Sequence, residues 1–131
     1  MLGIGLLLDI PVWPITGTNV TAARQLIAVQ DEFGMGDVKF FGYWNNHRLI
    51  AGQTDGIKAS VYKKHKGGAL IVIYNTTREP QTAKLTVDWR RLKSQPSLRI
   101  TDAFKKTPVA VNGKSLSIQV PRLNYRLLWV R

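Results

Sequence analysis

The chain contains no cysteine, which removes disulfides and thiolate metal sites and leaves the redox compartment unspecified. Acidic residues are scarce: eight Asp and Glu stand against 19 Lys and Arg, a formal net charge of +11. Every carboxylate that chemistry could use can therefore be weighed individually. Long hydrophobic runs are missing too. The longest, Ile4 to Leu8 with Gly5 inside it, is far short of the ~20 residues a membrane-spanning helix takes, so no membrane partner is expected. The opening MLGIGLLLDIP has no basic leader and no small-residue cleavage site. It reads poorly as a signal peptide and better as a buried strand. No phosphate loop, dinucleotide fingerprint or Gly-x-Ser-x-Gly setting occurs. His47 and His65 lie too far apart in sequence to be ligand-spaced, so neither a metal nor another cofactor is expected.

What is present suffices for a folded unit. With 131 residues, 44% of them hydrophobic, the chain can bury one core and is too apolar for a disordered segment. Its texture changes near residue 45. Before that point, Ile4 to Leu8 reads as a strand buried on both faces. A proline-punctuated loop follows. A helix then fits 19 to 33, capped by Thr18 or Asn19, with Val20, Ala23, Leu26, Ile27 and Phe33 at helical spacing and Gly34 as its stop. The segment VKFFGYW (38–44) resumes extended structure.

After residue 45 come six short runs at 58–64, 69–75, 83–89, 97–104, 115–120 and 125–131, separated by turn signals that include Asn112-Gly113-Lys114. The run ALIVIYN (69–75) is apolar on both faces and should be a central strand. The expected fold is mainly β: an antiparallel β-sandwich over 46–131 with a strand-helix appendage over 1–45. An unpaired apolar strand and an apolar helix face would need cover, so a homo-oligomer is expected.

The segments LLLDIPVWP, FGMGDVKFFGYWNN, ASVYKKHKGGALIVIYNTTREPQTAKLTVDWRRL, ITDAF and SLSIQVPRLNYRLLWVR carry a resemblance. Together they resemble the C-terminal region of bacterial family-123-like glycoside hydrolases, where a (β/α)8 barrel is followed by an antiparallel sandwich. The likeness spans nearly the whole chain. It implies that residues 1–35 correspond to the last strand and helix of such a barrel, within a strand-helix-strand appendage over 1–45, that 46–131 correspond to the sandwich, and that the partner is carbohydrate.

Glycoside hydrolysis usually takes two carboxyl groups about 5–9.5 Å apart. Asp9 follows the expected buried strand, the position where barrel active sites gather, and Trp13 lies close behind it. Asp37 precedes the aromatic cluster, and would approach Asp9 if the strands at 4–8 and 38–44 were neighbours. These two are the candidate acid/base pair. The alternative for Asp9 is a turn cap before Pro11. Asp31 and Glu32 end a helix, Asp55 and Glu79 fall in turns, and Asp88 and Asp102 have Arg90, Arg91 and Lys105 at hand.

Sugar recognition needs flat aromatic faces beside amide and cationic side chains. Trp13, Tyr43, Trp44, Asn45, Asn46, His47 and Arg48 supply those types. Alternation puts Phe41 and Tyr43 on one face and Phe40, Gly42 and Trp44 on the other, and one set belongs to a core. Three functions stay open: a glycoside hydrolase or a protein derived from one, a non-catalytic carbohydrate-binding or supporting sandwich, and a basic nucleic-acid-binding domain. The last would use Lys63, Lys64 and Lys66 with Arg90, Arg91 and Lys93.

Overall fold

The computed structural model describes residues 2–10, 20–53 and 55–131. Two antiparallel sheets face each other. The larger runs in the order β1 (Val38–Phe41), β3 (Ile57–Lys64), β4 (Ala69–Asn75), β8 (Tyr125–Val130) and β6 (Ile100–Asp102). The smaller runs β2 (Ile50–Ala51), β5 (Gln81–Val87), β7 (Ser115–Val120). Helix α1 (Leu2–Leu8) and helix α2 (Val20–Phe33) precede the strands, a 3-10 turn covers Met35–Asp37, and one short helix, α3 (Trp89–Leu92), interrupts them.

The apolar pattern of each strand follows from what covers it. In β5 and β7, Ala83, Leu85, Val87, Leu116 and Val120 point into the space between the sheets, while Thr82, Lys84, Thr86, Ser117 and Gln119 face outward. Strand β4 has no outward face. Ala69, Ile71 and Ile73 join the core between the sheets, and Leu70, Val72 and Tyr74 join a second core with Leu6, Leu7, Leu26, Val29 and Phe33 of the two N-terminal helices. ALIVIYN is therefore the central strand its composition calls for. The hairpin at Asn112 forms as well: Asn112 and Ser115 exchange both backbone hydrogen bonds, at 3.0 and 2.9 Å.

The N-terminal apolar run differs from expectation. Residues 4–8 are helical, within α1, and not a strand. Periodicity cannot separate a short strand buried on both sides from a buried helix. The decision comes from where the segment lies. It rests on the face of the larger sheet, over β3 and β4, rather than at an edge. Strand β1 takes β3 as its partner. Backbone groups lying on a sheet face find no ladder to join, so they bond to one another in a helix.

Gly3 permits the close seat. A Cβ there would fall 2.5 Å from Tyr125 Cδ1 and 2.8 Å from Tyr74 Cδ2. Strand β3 then satisfies the helix's last carbonyls: Ser60 Oγ donates to Leu7 O at 2.7 Å and Tyr62 Oη to Leu6 O at 2.6 Å. With α1 covered by its own chain, the unpaired strand that motivated a homo-oligomer is not there.

In α2 the buried side chains are Ala23, Leu26, Val29 and Phe33, whereas Ile27 is exposed. The side chain of Val20, the cap at Thr18 or Asn19 and the proline-rich loop lie outside the described residues. The two-residue strand β2 and the four-residue helix α3 carry too few residues to show a period in sequence.

Candidate functional site

The aromatic segment owes its shape to the way β1 ends. After Phe41 the chain turns, and Asn45 N–H donates to Gly42 O at 3.0 Å. Strand β3 continues past that point, so the N–H and C=O of Ala59, with no strand beside them, need other partners. Two side chains take the place of the missing strand. Asn46 Nδ2 donates to Ala59 O at 2.8 Å, and Ala59 N–H donates to Gln53 Oε1 at 2.9 Å. Gln53 Nε2 closes the set by donating to Asn46 Oδ1 at 2.9 Å. The Asn46 carbonyl accepts from Leu49 N–H and Ile50 N–H at 2.8 and 3.0 Å. Asn46 is 1% exposed, and both ends of its amide are engaged inside the fold.

This braced loop forms one wall of an open cleft of about 600 Å3. Asn45, His47 and Arg48 line it from the loop, Phe41 and Leu49 supply apolar surface, Lys63 comes from β3 and Arg91 from α3. Asp88 holds Arg91, with Oδ2 3.2 Å from Nε. No carboxylate is among the lining residues. The cleft can thus offer cationic, imidazole and amide donors around a half-buried phenyl ring.

The remaining aromatics lie elsewhere. Phe40 packs against Tyr62 with ring centroids 5.0 Å apart and against Trp44 at 5.9 Å. Trp44 lies over Gly42, where a Cβ would meet its ring at 2.5 Å, and keeps 52% of its surface exposed. Tyr43 does not share a face with Phe41, as strand alternation predicts. It sits beyond the strand end and packs with Phe40 and Tyr62 against the helix-covered core, while Phe41 packs on the core between the sheets. Its N–H donates to Ser60 Oγ at 3.0 Å. Tyr43 and Trp44 are not among the cleft-lining residues.

Asp9 is exposed and stands at the end of a helix, so the argument from a barrel strand end does not apply to it. Its backbone is left-handed, with φ 55. Ile10 N–H donates to Gly5 O at 2.8 Å and Asp9 N–H to Leu6 O at 3.3 Å, the paired bonds of a Schellman helix end. The Asp9 carboxylate faces Tyr62, whose phenol is pushed well up, first by burial and then by that charge. Asp37 is exposed in the turn leading into β1. The premise that would bring it to Asp9, neighbouring strands at 4–8 and 38–44, is absent. Trp13 lies outside the described residues.

Asp88 does pair with Arg91. Asp102 instead turns inward, where its Oδ1 accepts from the N–H groups of Phe104 and Lys105, both at 2.9 Å. Phe41, Lys63 and Arg91 complete the cleft, and their sequence neighbourhood does not reveal it. The usable signal is that Lys63 and Arg91 belong to the two basic clusters. Gly68 N–H donates to Leu92 O at 2.7 Å and so ties the β3–β4 turn to α3.

Fold and cleft together define an antiparallel β-sandwich domain with helices on one outer face. Residues 22–120 match the family described as glycoside hydrolase 123, C-terminal domain, and the chain belongs to that family. No curated protein matches it.

Among solved structures, an α-amylase from Anoxybacillus is similar over 91% of this chain and 24% of its own, at 10% identity and a TM-score of 0.58. Weaker likenesses include α-galactosidase I from Mortierella vinacea, at 14% identity over 59% of this chain and 21% of that one, TM-score 0.47. Another is a GH27 β-L-arabinopyranosidase from Geobacillus stearothermophilus, at 9% identity over 63% and 20%, TM-score 0.48. The chain spans between a fifth and a quarter of the length of these three. The amylase likeness is one of fold.

Proposed function

We propose that this chain serves a glycoside hydrolase as a non-catalytic β-domain that contacts carbohydrate through the cleft beside Asn45, His47 and Arg48. The observation that carries this reading is the composition of the cleft: an aromatic ring, an amide, an imidazole and three cationic side chains, and no carboxylate in the lining. Hydrolysis of a glycoside usually takes two carboxyl groups flanking the bond. Holding a saccharide takes donors and a flat apolar surface, and those are the groups gathered here. Membership of a glycoside hydrolase C-terminal domain family supports the same class of partner. Trp44, exposed beside the loop, is a second surface on which a pyranose ring can stack.

The domain reading belongs to the same proposal: 1–45 as a barrel-derived lead-in and 46–131 as the sandwich. Strand β1 ties the end of that lead-in to the larger sheet, so we infer that the two parts unfold together.

The test is a pair of measurements on the 131-residue chain. NMR titration with neutral and charged oligosaccharides should move the amide signals of Asn45, His47 and Arg48, and an Arg48→Ala variant that keeps its fold should lose the effect. A panel of aryl glycosides should show no turnover. Turnover that disappears in Asp9→Asn or Asp37→Asn would overturn the non-catalytic reading and give the chemistry to those two acids.

A further inference from the structure

We propose that the cleft selects saccharides carrying an anionic group, and that Arg48, Lys63 and Arg91 are the residues that read the charge. This rests on the carbohydrate-contact reading above and goes beyond it in naming the class of saccharide.

The argument starts from an uneven distribution of charge. The chain's eight acidic residues would, if evenly spread, place some near any large cleft. Here Arg48, Lys63 and Arg91 line one opening, His47 stands with them, and no acidic residue does. The fold brings this about, since these residues come from a loop, a strand and a helix far apart in sequence. The tie between Gly68 and Leu92 sets the Lys63–Lys66 cluster beside the Arg90–Lys93 cluster. Like charges drawn together raise a positive potential in the opening, which Asp88, paired with Arg91, offsets only in part.

Two cations nearby are already committed and do not compete for the role. Lys64 Nζ lies 4.5 Å from the centre of the Phe33 ring, and Lys93 Nζ donates to Pro96 O at 2.7 Å. Arg91 keeps its place through Asp88, which takes its Nε edge. A guanidinium has five donors in a fork that matches a carboxylate or sulfate, so one acidic neighbour leaves others for a ligand.

The opening's form favours a saccharide over a nucleic acid strand. A groove for single strands tracks the backbone with successive aromatic platforms. Among the described residues this opening has one lining aromatic, Phe41, and its volume is about 600 Å3, suited to one or two sugar rings. A uronic acid and a sulfated sugar both supply the anion required.

Isothermal titration calorimetry on the full chain distinguishes these cases. The probes are a galacturonate oligosaccharide, a sulfated galactan oligosaccharide, a neutral galactan oligosaccharide and a single-stranded oligonucleotide of equal length. At least one acidic saccharide should bind more tightly than the neutral one, and whichever does so identifies the anion as carboxylate or sulfate. Arg48→Gln and Arg91→Gln should each weaken that binding about tenfold or more, the size of one charged hydrogen bond, and leave the neutral sugar unchanged. Arg48 is exposed, so its variant keeps the test valid if a change at Arg91 disturbs α3. Equal affinity for acidic and neutral sugars overturns charge selection and leaves carbohydrate contact standing. Binding of no saccharide at all overturns both. Tighter binding of the oligonucleotide overturns the choice of saccharide in favour of nucleic acid.

Discussion

Replacing Asn46 with alanine should destabilise the fold by about 2–4 kcal/mol. The variant removes a 2.8 Å hydrogen bond to Ala59 O and a 2.9 Å bond from Gln53, and it strands the Ala59 carbonyl in a fully buried place. The bond from Gln53 contributes about 1 kcal/mol net, and losing the donor to Ala59 O, which leaves a buried acceptor unsatisfied, costs about 1–3 kcal/mol. For a chain of this size the melting temperature should fall by about 10 °C, between the sensitivities of smaller and larger domains. Thermal and urea unfolding followed by circular dichroism provide the readout.

Gln53→Ala gives the second arm of a cycle. It removes the partner of Asn46 and leaves Ala59 N–H without its acceptor. Because the two amides share one bond, the double variant should lose less than the sum of the singles. A loss below about 0.5 kcal/mol for Asn46→Ala, the range of ordinary surface substitutions, would refute the view that these amides replace a missing strand. So would strict additivity.

Gly42→Ala should push the Trp44 indole off its seat, because the new Cβ would lie 2.5 Å from the ring; an emission spectrum unchanged from the parent chain would contradict this. Asp102→Ala should cost about 1–2 kcal/mol in urea unfolding, the range of a lost side-chain cap, since Oδ1 holds two backbone N–H groups; a neutral result would show that the turn holds without it.

Alkali should weaken the fold in a defined window. Burial pushes the Tyr125 phenol from its ordinary 10.0 up to about 12, and Tyr62 shifts in the same direction. Above pH 10 the unfolded chain loses these protons while the folded one keeps them, so stability is full below pH 10 and falls as pH rises through 12. Tyr125→Phe should flatten that fall. A fall of equal steepness in the variant would assign it to other groups.

The strands after residue 45 were readable because each carries its own period. ALIVIYN and SLSIQV occupy β4 and β7 with the boundaries expected of them, one apolar throughout because helices cover its second face, the other alternating because water does. The helix at 20–33 was readable for the same reason, although Ile27 faces out where Val29 faces in. LGIGLLL has no period to read, and only its seat against Tyr74 and Tyr125 explains its helix. Of the candidate site, the stretch Asn45 to Arg48 was visible as a run of polar side chains. That the Asn46 amide is spent on Ala59 was not, because nothing local tells an amide that braces a strand from one that greets a ligand.

Sequence alone determined that this protein is basic, cysteine-free and mainly β, and that it resembles the C-terminal end of a glycoside hydrolase, because composition, alternation and family likeness are properties of the chain in order. Tertiary structure alone decided that Lys63 and Arg91, 28 positions apart by their numbers, meet Arg48 around one cleft, and that Asp9 ends a helix. Those outcomes depend on which backbone groups find partners across the fold, and hydrogen bonds such as that from Gly68 to Leu92 join residues that no local pattern connects.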